Sequence, residues 1–185
     1  MNEPITFYRE WLPLDKKEFR ILAMLADKGE FSGNLSDLCD YFSLSRQQRN
    51  RNALRTSIEL LAASGFITCE TTGRTYHLKA IPKATAIRIP RGWLLRLKNH
   101  EYTSEAVAWE QVLKTLLWVC HNSNPVVTNQ EIAEDLKIST STIGCAKNVL
   151  EHEFEAITRR KVSEKIGEDI FCTIGQELAA SAWWK

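Results

Sequence analysis

The stretch Ile132-Ala-Glu-Asp-Leu-Lys-Ile-Ser-Thr-Ser-Thr-Ile143 decides the fold. Just before it, Thr128-Asn-Gln-Glu131 has the spacing of a capping box, in which a Thr hydroxyl and a Glu carboxylate satisfy orphan amides reciprocally. A short helix therefore opens there and ends near Leu136, with Ile132 and Leu136 on one face. Ser139 or Thr140 caps the next helix, which runs to about Glu153 with Ile143, Ala146 and Leu150 inward. Working outward, Ala106 to Cys120 is helical, with Val107, Val112, Leu113, Leu116, Leu117 and Val119 as a broad apolar surface. On the other side, Ala156–Ser163 and Asp169–Ile174 read as strands around a Glu-Lys-Ile-Gly turn, and Gly175 to Trp184 as a final helix.

The first half follows the same plan. Asp15 to about Lys28 carries Phe19, Leu22, Ala23, Leu25 and Ala26 at helical spacing, with Pro13 before it and Gly29 as a stop. Leu35 to Phe42 forms a second helix, with Asn34 as its N-cap. A third helix follows the break at Ser43-Leu-Ser45, ends at Gly65 and buries Leu54, Ile58 and Leu61. Phe66–Glu70 and Tyr76–Ile81, around Thr71-Thr-Gly-Arg-Thr75, make a β-hairpin. Helix–helix–helix–hairpin thus occurs twice, at a spacing of roughly 90 residues.

The order resembles the bacterial winged helix-turn-helix: Ile132–Ile143 matches the motif at its apolar offsets, and Ile58-Glu-Leu-Leu-Ala-Ala-Ser-Gly-Phe-Ile67 resembles the end of a recognition helix entering the first wing strand. A duplicated winged helix is also similar to replication initiators of bacterial plasmids and mobile elements, and to phage-type regulators. Ile87-Arg-Ile-Pro-Arg-Gly-Trp-Leu-Leu95 adds slightly to that likeness. The fold expected is mainly α (α+β): a winged helix domain over residues 1–81, a basic connector over 82–103, and a second winged helix domain with a C-terminal helix over 104–185. The resemblance implies DNA binding.

Charge supports that expectation. The formal net charge is only +1, yet residues 1–100 carry 16 Lys/Arg against 10 Asp/Glu, and residues 101–185 carry 8 against 13. Residues 71–100 hold seven basic residues and no acid. Such asymmetry suggests that one half meets a polyanion, although a solvated face has the same composition.

A recognition helix packs one face inward and offers the other to base edges and phosphates. With Leu54, Ile58 and Leu61 inward, Ser45, Arg49, Asn52 and Thr56 point outward, flanked by Gln48, Arg55 and Glu59. Arg pairs bidentately with guanine, and Asn or Gln with adenine. Arg46 and Arg51 lie to the sides, where phosphate contacts are natural, and Arg74 sits at the tip of the first wing. Leu38 to Leu54 spans sixteen residues where Ile132 to Ile143 spans eleven. Either the turn is longer, which puts Ser45 and Gln48 in a loop, or the third helix gains a turn at its start. In the second copy the outward positions are Ser141, Cys145, Asn148 and His152, with Thr140 and Thr142 near the helix start. Its cations gather on the wing, at Arg159, Arg160, Lys161 and Lys165. That copy is expected to position the complex on DNA or to contact protein.

Double-stranded DNA is the expected partner, and tandem readers can cover major grooves about 34 Å apart; a homodimer would extend the site to a palindrome. Transcriptional control is the first reading, replication initiation the second, a protein–protein adaptor the third. No phosphate loop, HExxH or nucleophile elbow occurs, so no enzyme is expected. The five cysteines (Cys39, Cys69, Cys120, Cys145, Cys172) and four histidines are scattered, which argues against a metal site, a disulfide or a cofactor. No membrane span or secretory signal is visible, so a cytoplasmic location is expected. Trp93, Trp109 and Trp118 read as core, while Trp183 and Trp184 seal the second domain or anchor a dimer.

Overall fold

The computed structural model describes residues 3–123, 125–166 and 170–180, with 164–166 and 170–174 in backbone only. It divides the chain into an inserted unit, Asp15–Ala84, and a host unit made of residues 1–14 together with Thr85–Lys185. The strand that opens the host unit, β1 (Pro4–Tyr8), causes this division. It pairs antiparallel with β5 (Ala86–Pro90), in a register running from Pro4 opposite Pro90 to Tyr8 opposite Ala86. The first fourteen residues therefore do not belong with the helices that follow them, and the 1–81 boundary is corrected. Nor is 82–103 a connector. Ile87 and Ile89 alternate inward while Arg88 faces out, and Trp93, Leu94 and Leu97 are buried from the helix that follows.

In the inserted unit, α1 (Lys16–Lys28) starts at a capping box formed by Asp15 and Glu18 and buries Phe19, Leu22 and Leu25. A short strand, β2 (Glu30–Gly33), leads to α2 (Leu35–Tyr41), whose cap Asn34 accepts from the Ser36 and Asp37 amides at 2.7 and 3.2 Å. Next come α3 (Gln48–Ala63), β3 (Ile67–Thr72) and β4 (Thr75–Ala80). Gly73 takes a positive φ of 62° in the two-residue turn, a conformation that β-carbons disfavour. The sheet order is β2-β4-β3. Leu35, Leu38, Leu54, Ile58, Leu61, Ile67 and Leu78 are all buried in this unit.

The host unit continues with α4 (Arg91–Lys98) and α5 (Trp109–Asn122). Val112, Leu113, Leu116 and Leu117 of α5 are fully buried, so truncating any of the three leucines to Ala costs about 2–5 kcal/mol. Trp93, Trp109 and Trp118 are buried too, and Trp118 Nε1 donates to Asp135 at 2.9 Å. β6 (Val126–Val127), α6 (Asn129–Leu136) and α7 (Thr140–Asn148) follow, and a π-helical turn (Val149–Glu153) leads into β7 (Ile157–Ile166) and β8 (Ile170–Ala180). The capping box at Thr128 is present: its amide donates to Glu131 Oε2 at 2.7 Å, and its hydroxyl accepts from the Glu131 amide at 3.3 Å. The sheet order is β6-β8-β7.

The expected helix over Gly175–Trp184 is corrected: Gly175–Ala180 is the end of β8, and Trp183 and Trp184 lie outside the described residues. Gln, Glu, Leu and Ala are good helix formers, but β8 is the central strand and pairs on both sides, so tertiary pairing overrides propensity. Gly175 permits this, because a β-carbon there would lie 3.1–3.2 Å from the Val127 backbone.

Both units contain the run helix–strand–helix–helix–strand–strand, α1 to β4 in one and α5 to β8 in the other, and in each run's three-stranded sheet the last strand lies between the other two. In both, the residue that turns the chain after the second helix is a non-glycine with positive φ, Ser43 at 54° and Lys137 at 53°. Among the described residues, the molecule is mixed α and β, with seven α-helices and three small antiparallel sheets. No helix among them is long and apolar enough to cross a membrane.

Candidate nucleic-acid interface

The inserted unit's α3 has two faces. Leu54, Ser57, Ile58 and Leu61 are buried, while Gln48, Arg49, Asn52, Arg55 and Thr56 are exposed. The open question about the first turn is answered by its length: six residues, 42–47, separate α2 from α3, where three, 137–139, separate α6 from α7. Ser45 and Arg46 are loop residues, and Gln48 is the first residue of the helix.

That loop is tied at both ends. Arg46 forks onto Asp40 in α2, with Nε 2.8 Å from Oδ1, and this bond holds the Asp40 carboxyl below its ordinary range. Asn50 Nδ2 donates to the carbonyl and hydroxyl oxygens of Ser45 at 2.9 and 3.0 Å. The helix start is left open, because Gln47 caps α3 without a side-chain bond and no acid lies in its first turn. Along the exposed face, Arg51 NH2 donates to Gln48 Oε1 at 2.9 Å and Gln48 Nε2 donates to Asn52 Oδ1 at 2.7 Å. Arg51 is half-buried, and its Nε has no hydrogen-bond partner among the described residues. Arg49, Arg55 and Arg74 have no ion pair among the described residues. Arg74 is exposed in the turn between β3 and β4.

The cations of residues 82–103 have mixed fates. Lys83 Nζ donates to the Gly65 carbonyl at 2.6 Å beside the end of α3 and lies 4.8 Å from the Phe66 ring centroid. Arg96 stacks on Trp93 and Phe154 and pairs with Glu101 at 3.0 Å.

In the host unit, Thr140, Ser141 and Asn148 are exposed on α7, and Cys145 is half-buried. Ser139 Oγ caps the helix through the Thr142 amide at 3.1 Å. Lys147, the one basic residue of α7, is buried and donates to Asn129 Oδ1 at 2.6 Å and to Gln176 Oε1. On β7, Arg159 is paired with Glu151. Partial burial pushes the Glu151 carboxyl up, but the bond and charge of Arg159 outweigh this and hold it low. Arg160 Nε donates to Glu177 at 2.8 Å, Lys161 is exposed, and Lys165 is described in backbone only. The residues expected on the second face therefore split into uncharged exposed side chains on α7 and two β7 arginines that are both engaged by acids.

Neither a family model nor a curated protein matches this chain.

The hydrogen bonds that link Arg51, Gln48 and Asn52, and the anchor Asp40, are the parts of this surface that residue type alone did not show. The links within α3 have a signal in the spacing, i to i+3 and i+4, which brings polar side chains into contact on a helix; Asp40, on α2 and six residues before Arg46, has none. No three His, Cys, Asp or Glu side chains converge among the described residues in a way that could hold a metal ion.

Proposed function

We propose that this protein binds double-stranded DNA at specific sites, that each unit is a winged helix-turn-helix, and that α3 of the inserted unit is the reading helix. The observation that carries the proposal is the two-sidedness of α3: exposed Arg49, Asn52, Arg55 and Thr56 stand opposite buried Leu54, Ile58 and Leu61. Arg and Asn are the side chains that pair bidentately with guanine and adenine in the major groove. The open helix start and Arg74 at the hairpin tip supply phosphate contacts, which position the helix. The shared element and strand order supports the winged reading of both units. Transcriptional control is the role favoured, and replication initiation on a mobile element is the alternative.

For the host unit a protein-contact reading is favoured by the engagement of Arg159 by Glu151 and of Arg160 by Glu177, which leaves its wing little charge for phosphates. Selection of bound fragments from a random duplex pool tests the proposal. A single enriched motif is expected, located beside promoters for a regulator or beside an origin for an initiator. A pool that stays random at every position overturns it.

A further inference from the structure

We propose that Gln48 is a specificity-positioning residue, which holds the Asn52 carboxamide in the orientation that reads adenine and rejects cytosine. This rests on the DNA-reading role of α3 proposed above.

The orientation follows from donor and acceptor counting. A guanidinium carries donors only. Arg51 NH2 therefore requires an oxygen from Gln48, and takes Oε1 at 2.9 Å. The Gln48 carboxamide is thereby fixed with Nε2 towards Asn52, where it meets Oδ1 at 2.7 Å. Asn52 cannot turn its own Nδ2 towards Gln48, since two NH2 groups would then face each other. Both Nδ2 hydrogens of Asn52 and one Oδ1 lone pair remain for a ligand, on a residue that is exposed. Adenine offers N7 as acceptor and N6 as donor side by side in the major groove, which is the complement of that pair. Cytosine offers only the N4 donor, which suits a flipped Asn52 that leads with Oδ1. The Asn50 carboxamide is occupied by Ser45 and does not compete. Arg51 in turn is kept in place by its half-buried position on the inner flank of α3. The relay thus runs from a held arginine, through Gln48, to the base-reading amide, and sets its orientation before any DNA arrives. Preorganisation of this kind improves discrimination by removing the wrong conformer from the free protein.

The test uses the full chain and the duplex motif that it selects. In the wild type, one adenine of the motif is expected to lose about tenfold in affinity on replacement by 7-deazaadenine, which removes the N7 arm of the contact and so costs towards the lower end of a bidentate pair. N52A is expected to abolish that sensitivity. Q48M keeps length and helix propensity but carries no amide; its preference for adenine over cytosine at that position is expected to collapse, with unchanged salt dependence and circular dichroism. R51M is expected to weaken the adenine preference less than Q48M does and, because it also removes a cation from the flank of α3, to lower the salt slope by about 1. Full retention of the adenine preference in Q48M overturns the relay while leaving DNA reading by α3 intact. A wild type that enriches no motif overturns both.

Discussion

Lys147 Nζ lies 2.6 Å from Asn129 Oδ1 and so ties α7 to the first residue of α6, with Gln176 of β8 as the second acceptor. One buried ammonium thereby joins both helices of the turn to the central strand. Burial pushes this lysine down to about 8, with Arg159 adding to the shift and Glu151 opposing it. An unfolded lysine titrates at about 10.4. Between these values the unfolded chain binds the extra proton, so the stability of the host unit rises with pH across that window. K147M is expected to remove the rise, as read from urea midpoints taken from neutral pH to above pH 10. A slope unchanged by K147M would place the titration elsewhere.

Gly175 lies where a β-carbon would come within 3.1 Å of the Val127 carbonyl oxygen. G175A therefore presses β8 away from β6, or shifts both, and is expected to destabilise the host unit by about 1–3 kcal/mol, the usual range for overpacking. The check is chemical denaturation followed by tryptophan fluorescence. A midpoint equal to wild type would show that β6 yields at no cost.

Salt dependence measures how many phosphates a DNA-binding protein neutralises. If about six are neutralised, log K falls against log salt with a slope near −5. R49A or R74A is expected to reduce the slope by about 1. R160A should leave it unchanged, because that guanidinium is already engaged by Glu177. An affinity that stays flat between low and physiological salt contradicts phosphate-led binding.

Local chemistry was the most legible part of this chain. The caps at Asn34 and Thr128 and the inward sets on α3 and α7 depend on neighbours within a few residues, and all are where the spacing puts them. What needed the fold was pairing over distance. Pro4–Tyr8 meets its partner strand some eighty residues later, so nothing near either segment marks the strand pair. β2 and β6 are edge strands of four and two residues, too short for an alternating pattern. At the candidate site, the outward direction of Arg49, Asn52 and Arg55 was readable from helical spacing. The partners of Arg46, Arg159 and Arg160 were not, because a side chain's charge in sequence says nothing of which acid folds against it.

A reading role for α3 requires Arg49 and Asn52, both exposed on that helix, to reach base edges. The most direct test is retention of the selected duplex by R49A/N52A in an electrophoretic mobility assay, with circular dichroism to show that the fold is kept. Loss of sequence-specific retention, with weak salt-sensitive binding remaining, is predicted. Undiminished retention of the same motif by the folded double variant would contradict the assignment of α3 as the reader.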